Sequence, residues 1–172
     1  MDYLYILQQA LVGIITIFWL YNIAISVCSL IKFKEKPLLI NKEHKFMAII
    51  PAHNEEKVIK NLIESLKEQN YPKDKLDIYV IADNCTDNTA PIAKNAGAIV
   101  YERTDPEHKT KGYAMQWFLK KMQEQNADYD ALCVFDADNI VDKEFMKAMN
   151  KKLCQGEEVV QGYRDIKNPS DT

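Results

Sequence analysis

The sequence predicts an α/β body, a mostly parallel sheet with flanking helices, preceded by one transmembrane helix. Two observations carry this expectation. Residues 3–31 contain no Asp, Glu, Lys or Arg. From residue 46 onward, short apolar runs alternate with segments whose apolar residues recur at helical spacing, and three of the runs lead into a polar, acid-bearing stretch. Strands separated by helices of this size need crossover connections, the arrangement parallel neighbours require.

The first element is residues 10–31, ALVGIITIFWLYNIAISVCSLI. At about 1.5 Å per residue this run spans roughly 33 Å as a helix, enough for a bilayer core of about 30 Å. A cleaved signal peptide fits poorly, because no basic residue precedes the run and its length exceeds the usual apolar stretch of about 7 to 15 residues. Phe18, Trp19 and Tyr21 sit among β-branched residues with no polar stripe, unlike a soluble amphipathic helix. Thr16 and Asn22 are mild polar interruptions that can bond to the backbone or to a neighbouring helix.

Lys32, Lys34, Lys36, Lys42 and Lys45 follow, against Glu35 and Glu43, while the N-terminal flank offers Asp2 alone. The positive-inside rule therefore puts residues 1–9 outside the cytoplasm and the body within it, as a single-pass protein of the cell membrane. Residues 32–45 read as a juxtamembrane linker whose lysines favour an anionic leaflet, which makes the lipid bilayer a partner.

In the body, residues 46–50 predict a strand, and Val58, Ile59, Leu62, Ile63 and Leu66 predict a helix that Asn70-Tyr71-Pro72 ends. Residues 76–82 are strand-like, 86–95 a helix closed by Gly97, and 98–101 a third strand. Met115, Phe118, Leu119 and Met122 mark the next helix, 131–135 a buried strand, and Phe145, Met146, Met149 and Leu153 a further helix. Residues 159–163 complete the expectation as a fifth strand.

Of the 25 acidic and 22 basic residues, 24 and 22 lie after position 31, a balance that excludes the basic footprint of a nucleic-acid binder. Cys28, Cys85, Cys133 and Cys154 show no C-x-x-C pairing and read as free thiols.

In open α/β sheets the ligand crevice lies outside the carboxyl ends of the strands. The segments at those positions are Pro51-Ala52-His53-Asn54-Glu55-Glu56, Asp83-Asn84-Cys85-Thr86-Asp87 and Asp136-Ala137-Asp138-Asn139. Each alone has an ordinary explanation as a cap or an Asx turn. Together they converge on one edge. Asp136 and Asp138, at alternate positions leaving a strand, can face one hard cation, Mg²⁺ or Mn²⁺, which usually takes one or two carboxylates plus substrate phosphates. Asp83 can accept a hydrogen bond from a nucleobase imide, with the backbone of Pro51, Ala52 and His53 lining the base. Lys109, Lys111 and Gly112 offer positive charge and close backbone approach to a pyrophosphate.

The series P-A-H-N-E-E, A-D-N-C-T-D-N-T, K-T-K-G-Y-A and F-D-A-D-N, in that order over residues 46–168, resembles the family 2 glycosyltransferases and their GT-A nucleotide-diphospho-sugar fold. The resemblance implies transfer of a sugar from a UDP-sugar donor to a saccharide or lipid-linked acceptor. It implies that Asp83 and Glu55 contact the nucleoside, and that Asp136 and Asp138 carry a D-x-D bridging metal to diphosphate. A helix leading directly into the domain resembles the membrane-bound branch, which includes enzymes of polysaccharide biosynthesis. Members of the family continue beyond the V-Q-G-Y-R-D-I-K-N-P stretch into an acceptor-binding half with the catalytic base, so residues 46–172 read as a C-terminally incomplete GT-A domain whose base is expected beyond Thr172.

An aspartyl-phosphate phosphatase also places D-x-D after a buried strand. Its continuation needs Thr soon after the second Asp, where this chain has Asn139-Ile140-Val141. A second alternative is a catalytically inactive sugar-nucleotide-binding remnant or an interaction module.

Overall fold

The computed structural model describes residues 2–29 and 42–165, and the chain divides into two units, residues 1–37 and 38–172. The greater part of the expected linker, residues 32–41, lies outside the described residues.

The first unit is one helix, α1 (Asp2–Ser29). Its stretch Tyr3–Cys28 is long and apolar enough to cross a membrane by length and composition. The helix starts at Asp2, ahead of the expected 10–31 span. Three of its polar side chains are turned onto its own backbone: Thr16 Oγ1 donates to the Val12 carbonyl at 2.8 Å, Asn22 Nδ2 to that of Phe18 at 2.8 Å, and Ser26 Oγ to that of Asn22 at 2.9 Å.

The second unit holds β1 (Phe46–Ala52), α2 (Ile59–Lys67), β2 (Leu76–Asp83), α3 (Thr89–Asn95), β3 (Ile99–Arg103), α4 (Lys111–Glu124), β4 (Ala131–Val134) and α5 (Phe145–Cys154). Its four strands pair in parallel in the order β3-β2-β1-β4. Both faces of β1 are buried, which is why its sequence reads as an unbroken apolar run. Phe46, Ala48, Ile50 and Ala52 face α2, α3 and α5, whereas Met47 and Ile49 face α4. In α2, Ile59, Leu62, Ile63 and Leu66 form the fully buried stripe that the helical period demands.

This topology fixes where a ligand can sit. The chain steps from β1 to β2 to β3 on one side, then crosses back over the α4 face to place β4 on the other side of β1. Strand order reverses between β1 and β4, and the crevice at such a reversal is the general ligand position of open α/β sheets.

Several boundaries differ from expectation: β1 runs on to Ala52, β2 to Asp83, and β4 stops at Val134. β3 runs two residues further, to Arg103, and α3 begins at Thr89 rather than at 86. The predicted fifth strand does not form: residues 159–163 have no regular structure, with Val159 and Tyr163 each 92% exposed. A strand persists when its backbone is paired and one face is covered. The segment has the β-prone residues but not that burial.

Where the body begins, residues 42–45 are pinned to its base. Asp130 accepts from Lys42 Nζ at 2.6 Å and from the Lys45 N–H at 2.8 Å, while Asn150 donates to the Lys42 carbonyl at 3.0 Å.

Candidate functional site

At the carboxyl edge of the sheet, two asparagines in left-handed conformation tie each loop to the next. Asn54, with φ 55°, follows β1 and accepts from the Thr86 N–H at 2.8 Å. Asn84, with φ 49°, follows β2 and accepts from the Asp105 N–H at 2.8 Å. Asparagine tolerates this region better than other side chains, and its amide can then close the turn. Thr89 Oγ1 accepts from the Glu55 N–H at 2.7 Å, and Asp87 from the Glu56 N–H at 3.1 Å. The loops after β1 and β2 thus form one framework.

Within it, Asp83 ends β2 and is buried. Its Oδ1 accepts from Arg103 Nη1 at 2.6 Å and from Asn84 Nδ2 at 3.0 Å. Arg103 in turn donates to Asp105 at 2.7 Å and to the His108 carbonyl at 2.9 Å. His53 is exposed, with Nδ1 2.7 Å from the Asp83 carbonyl oxygen. Ala52 turns its side chain into the core and Pro51 is half-buried, so these two offer backbone alone. Glu55 is half-buried beside them.

Two strands away, Asp136 and Asp138 emerge just past β4 on either side of buried Ala137. Asp83 and Asp136 leave strands two spacings apart, roughly 10 Å across the sheet. Asp136 is paired through both oxygens, Oδ1 with Lys111 Nζ and Oδ2 with Arg164 Nη1 at 3.3 Å. The Lys111 hydrogen bond first, and the Arg164 charge with it, hold the Asp136 carboxyl below the usual carboxylate range. Asp138 is exposed and accepts from Asn139 Nδ2 at 3.2 Å.

Among the described residues, no third His, Cys, Asp or Glu joins these two carboxylates. One half-buried and one exposed carboxylate, with positive side chains already against the first, are a donor set a hard cation accepts when water and phosphate oxygens complete its shell.

Lys111 is the first residue of α4, capped by Thr110, and therefore reaches the Asp136 carboxylate. Lys109 is exposed and stands outside this contact. At Gly112 a Cβ would meet Thr110 Oγ1 at 3.7 Å, an ordinary contact, so the protein's own packing does not require glycine there.

The sequence reading missed Arg103 and Arg164. The first is hidden by an expected β3 that ends two residues early, and the second stands just past the expected strand 159–163. Arg103 also lines a cavity of about 420 Å³ with Asp105, Glu107 and Trp117, beside the site rather than within it.

A family model described as "Glycosyl transferase family 2" matches residues 47–172. The chain is 36% identical over 103 residues to a "Probable glycosyltransferase YdaM" of Bacillus subtilis (strain 168), an alignment that covers 58% of this chain and 24% of that protein. Among solved structures it resembles a mannosyltransferase of Pyrobaculum calidifontis in complex with GDP-Man and Mn²⁺. That match has a TM-score of 0.59 and 21% identity, and covers 72% of this chain and 36% of the other. It also resembles glucosyl-3-phosphoglycerate synthase of Mycobacterium tuberculosis in complex with UDP, with a TM-score of 0.55 and 23% identity, covering 73% of this chain and 48% of the other. These structural likenesses bear on the fold, which is the GT-A arrangement. The chain spans about a quarter of the length of the curated relative and less than half of either structure.

Proposed function

The chain belongs to glycosyl transferase family 2, and on that premise we propose that its body is the donor-binding part of a membrane-anchored, metal-dependent enzyme that moves a sugar from a UDP-sugar to a saccharide or lipid-linked acceptor. The observation that carries this reading is the placement of Asp83 and Asp136 on either side of the strand reversal, with Lys111 brought to Asp136 by the start of α4.

In this reading Asp83 Oδ2 receives the base imide, oriented by Arg103, while Pro51, Ala52 and His53 line the base and Glu55 meets the nucleoside. Asp136 and Asp138 hold Mg²⁺ or Mn²⁺, which when bound neutralises charge on the departing diphosphate. Lys111 supplies a further positive charge at that diphosphate, with Lys109 and Gly112 beside it. The general base that deprotonates the acceptor hydroxyl is assigned to none of these residues, and acceptor choice is placed with it outside them. The uncharged α1 anchors the chain, with the body on the cytoplasmic side.

Calorimetry on the full chain in detergent tests the reading. UDP is expected to bind in the presence of Mn²⁺, with binding lost on chelation. Metal-independent binding of equal strength counts against the Asp136–Asp138 assignment, and equal affinity for GDP counts against uridine.

A further inference from the structure

Arg164 belongs to a segment that the proposed donor site has not used. Residues 157–165 follow α5 without regular structure. Two contacts bear on where Arg164 sits. Gly162 lies against the Phe145 ring so closely that a Cβ would stand 2.6 Å from Cε2. Phe145 packs edge-on against Phe135 at 5.6 Å between centroids, and Phe135 directly precedes Asp136. Gly162 therefore lays the segment beside the end of β4, and Arg164 closes on Asp136 Oδ2 while Lys111 occupies Oδ1.

Each oxygen of this one carboxylate thus faces a different cation. The contacts are also exchangeable. The Arg164 and Lys111 side chains are 68% and 51% exposed, and ion pairs this open to water contribute little on their own. Val159 and Tyr163 add no apolar burial to hold the segment down.

Charge balance decides what the arrangement does. One carboxylate, Asp136, stands against two cations, Lys111 and Arg164. A divalent metal arriving alone must displace both cations from Asp136 and then face them unscreened. A diphosphate arriving alone draws the cations away and is left beside the Asp136 carboxylate it has uncovered. Metal and diphosphate arriving together cancel, because the cations released by Asp136 find the phosphate oxygens.

Resting on the donor-site reading above, we propose that Lys111 and Arg164 form a cation clamp that occupies the metal-binding carboxylate until a nucleoside diphosphate draws them off. Arg164 is then a donor-binding residue, and metal and diphosphate bind synergistically. The clamp suppresses the binding of metal alone, and the same side chains favour the ternary state.

The test is calorimetric titration of Mn²⁺ into the full chain in detergent, with and without saturating UDP, alongside hydrogen exchange over residues 157–165. For the unmodified chain, UDP is expected to raise Mn²⁺ affinity at least about 5-fold, the lower end of common coupling energies. Arg164→Gln and Lys111→Gln are expected to bind Mn²⁺ alone more tightly than the unmodified chain, yet to bind UDP with Mn²⁺ more weakly. Arg164→Lys, which keeps the charge, is expected to retain the unmodified pattern. Mn²⁺ alone is expected to speed exchange in residues 157–165, and the added UDP to slow it. If Arg164→Gln binds Mn²⁺ alone no more tightly while UDP with Mn²⁺ still binds, the clamp is wrong and the donor site stands. If the unmodified chain binds no UDP even with Mn²⁺, the donor site itself fails and the clamp with it.

Discussion

Asp83 and Arg103 are register partners across the β2–β3 ladder, and their side chains meet at 2.6 Å while only 8% and 6% exposed. Parallel pairing puts both on one side of the sheet, so the ion pair is a direct consequence of strand register. It is also finished on the far side, where Arg103 reaches Asp105 and the His108 carbonyl. A carboxylate positioned in this way presents one fixed oxygen at the sheet edge. The aim of Asp83 is therefore set by β3 as much as by its own strand.

Asp83→Asn is accordingly expected to cost stability as well as any ligand contact. Removing one partner of a buried pair leaves an uncompensated charge, at a cost of about 3–5 kcal/mol, with Asp105 placing this case toward the lower end. Urea denaturation measures it. A loss below about 1 kcal/mol would show that the pair does not organise this edge. Asp105→Asn, at a position 32% exposed, is expected to cost much less.

The hold on residues 42–45 is expected to be acid-sensitive. The Lys42 hydrogen bond first, then the Lys45 N–H, hold the Asp130 carboxyl below its ordinary value of 3.8. A group lowered on folding adds stability above its unfolded pKa and loses it as pH falls through the lower folded value. The clamp should therefore be complete at neutral pH and fail below about pH 4. Hydrogen exchange at the Lys45 amide reads this directly, and Asp130→Asn should show the unprotected rate already at neutral pH. A Lys45 rate with no acid dependence beyond intrinsic exchange contradicts the assignment.

The proposed cytoplasmic placement of the body predicts a labelling pattern. Cys85 is a poor reporter, because burial, ahead of its other surroundings, pushes its thiol up. Burial likewise pushes the Cys133 thiol up to about 11, so it should resist alkylation at pH 8 until the chain unfolds. Glu124→Cys at the exposed end of α4 is the better probe. An impermeant maleimide should reach it only after cells are permeabilised, since the lysine flank sets the orientation. Labelling from outside intact cells would reverse the proposed topology.

The parts of this molecule legible in the sequence are those governed by local pattern. The stripe of Ile59, Leu62, Ile63 and Leu66 and the apolar run of β1 each carry their period in the chain. The edge position of Asp136 and Asp138 followed from the end of β4 in the same way. What stayed hidden depends on register and on long-range contact. Arg103 could be paired with Asp83 only once the β2–β3 alignment was known. Arg164 comes to Asp136 because a glycine lets the segment approach Phe145, and β-propensity in 159–163 pointed elsewhere.

Gly162 offers a way to move Arg164 without altering its charge. A Cβ at this position would lie 2.6 Å from Phe145 Cε2, closer than a Cβ tolerates, and 3.3 Å from Cζ, a tight contact. The Phe145 ring has little room to give, because Phe135, 6% exposed, stands edge-on behind it. The yielding part should be the segment itself, with no regular structure and two large side chains in water. Gly162→Ala is therefore expected to lift residues 157–165, break the contact between Arg164 and Asp136, and speed exchange there. Global stability should change by less than about 0.5 kcal/mol, the ordinary range for a surface substitution. Mn²⁺ binding without UDP should tighten as in Arg164→Gln, since either change uncovers Asp136 Oδ2. If Gly162→Ala instead lowers global stability by several kcal/mol and leaves exchange at 157–165 unchanged, the ring of Phe145 has moved. Gly162 would then serve the core beneath it rather than the placement of Arg164.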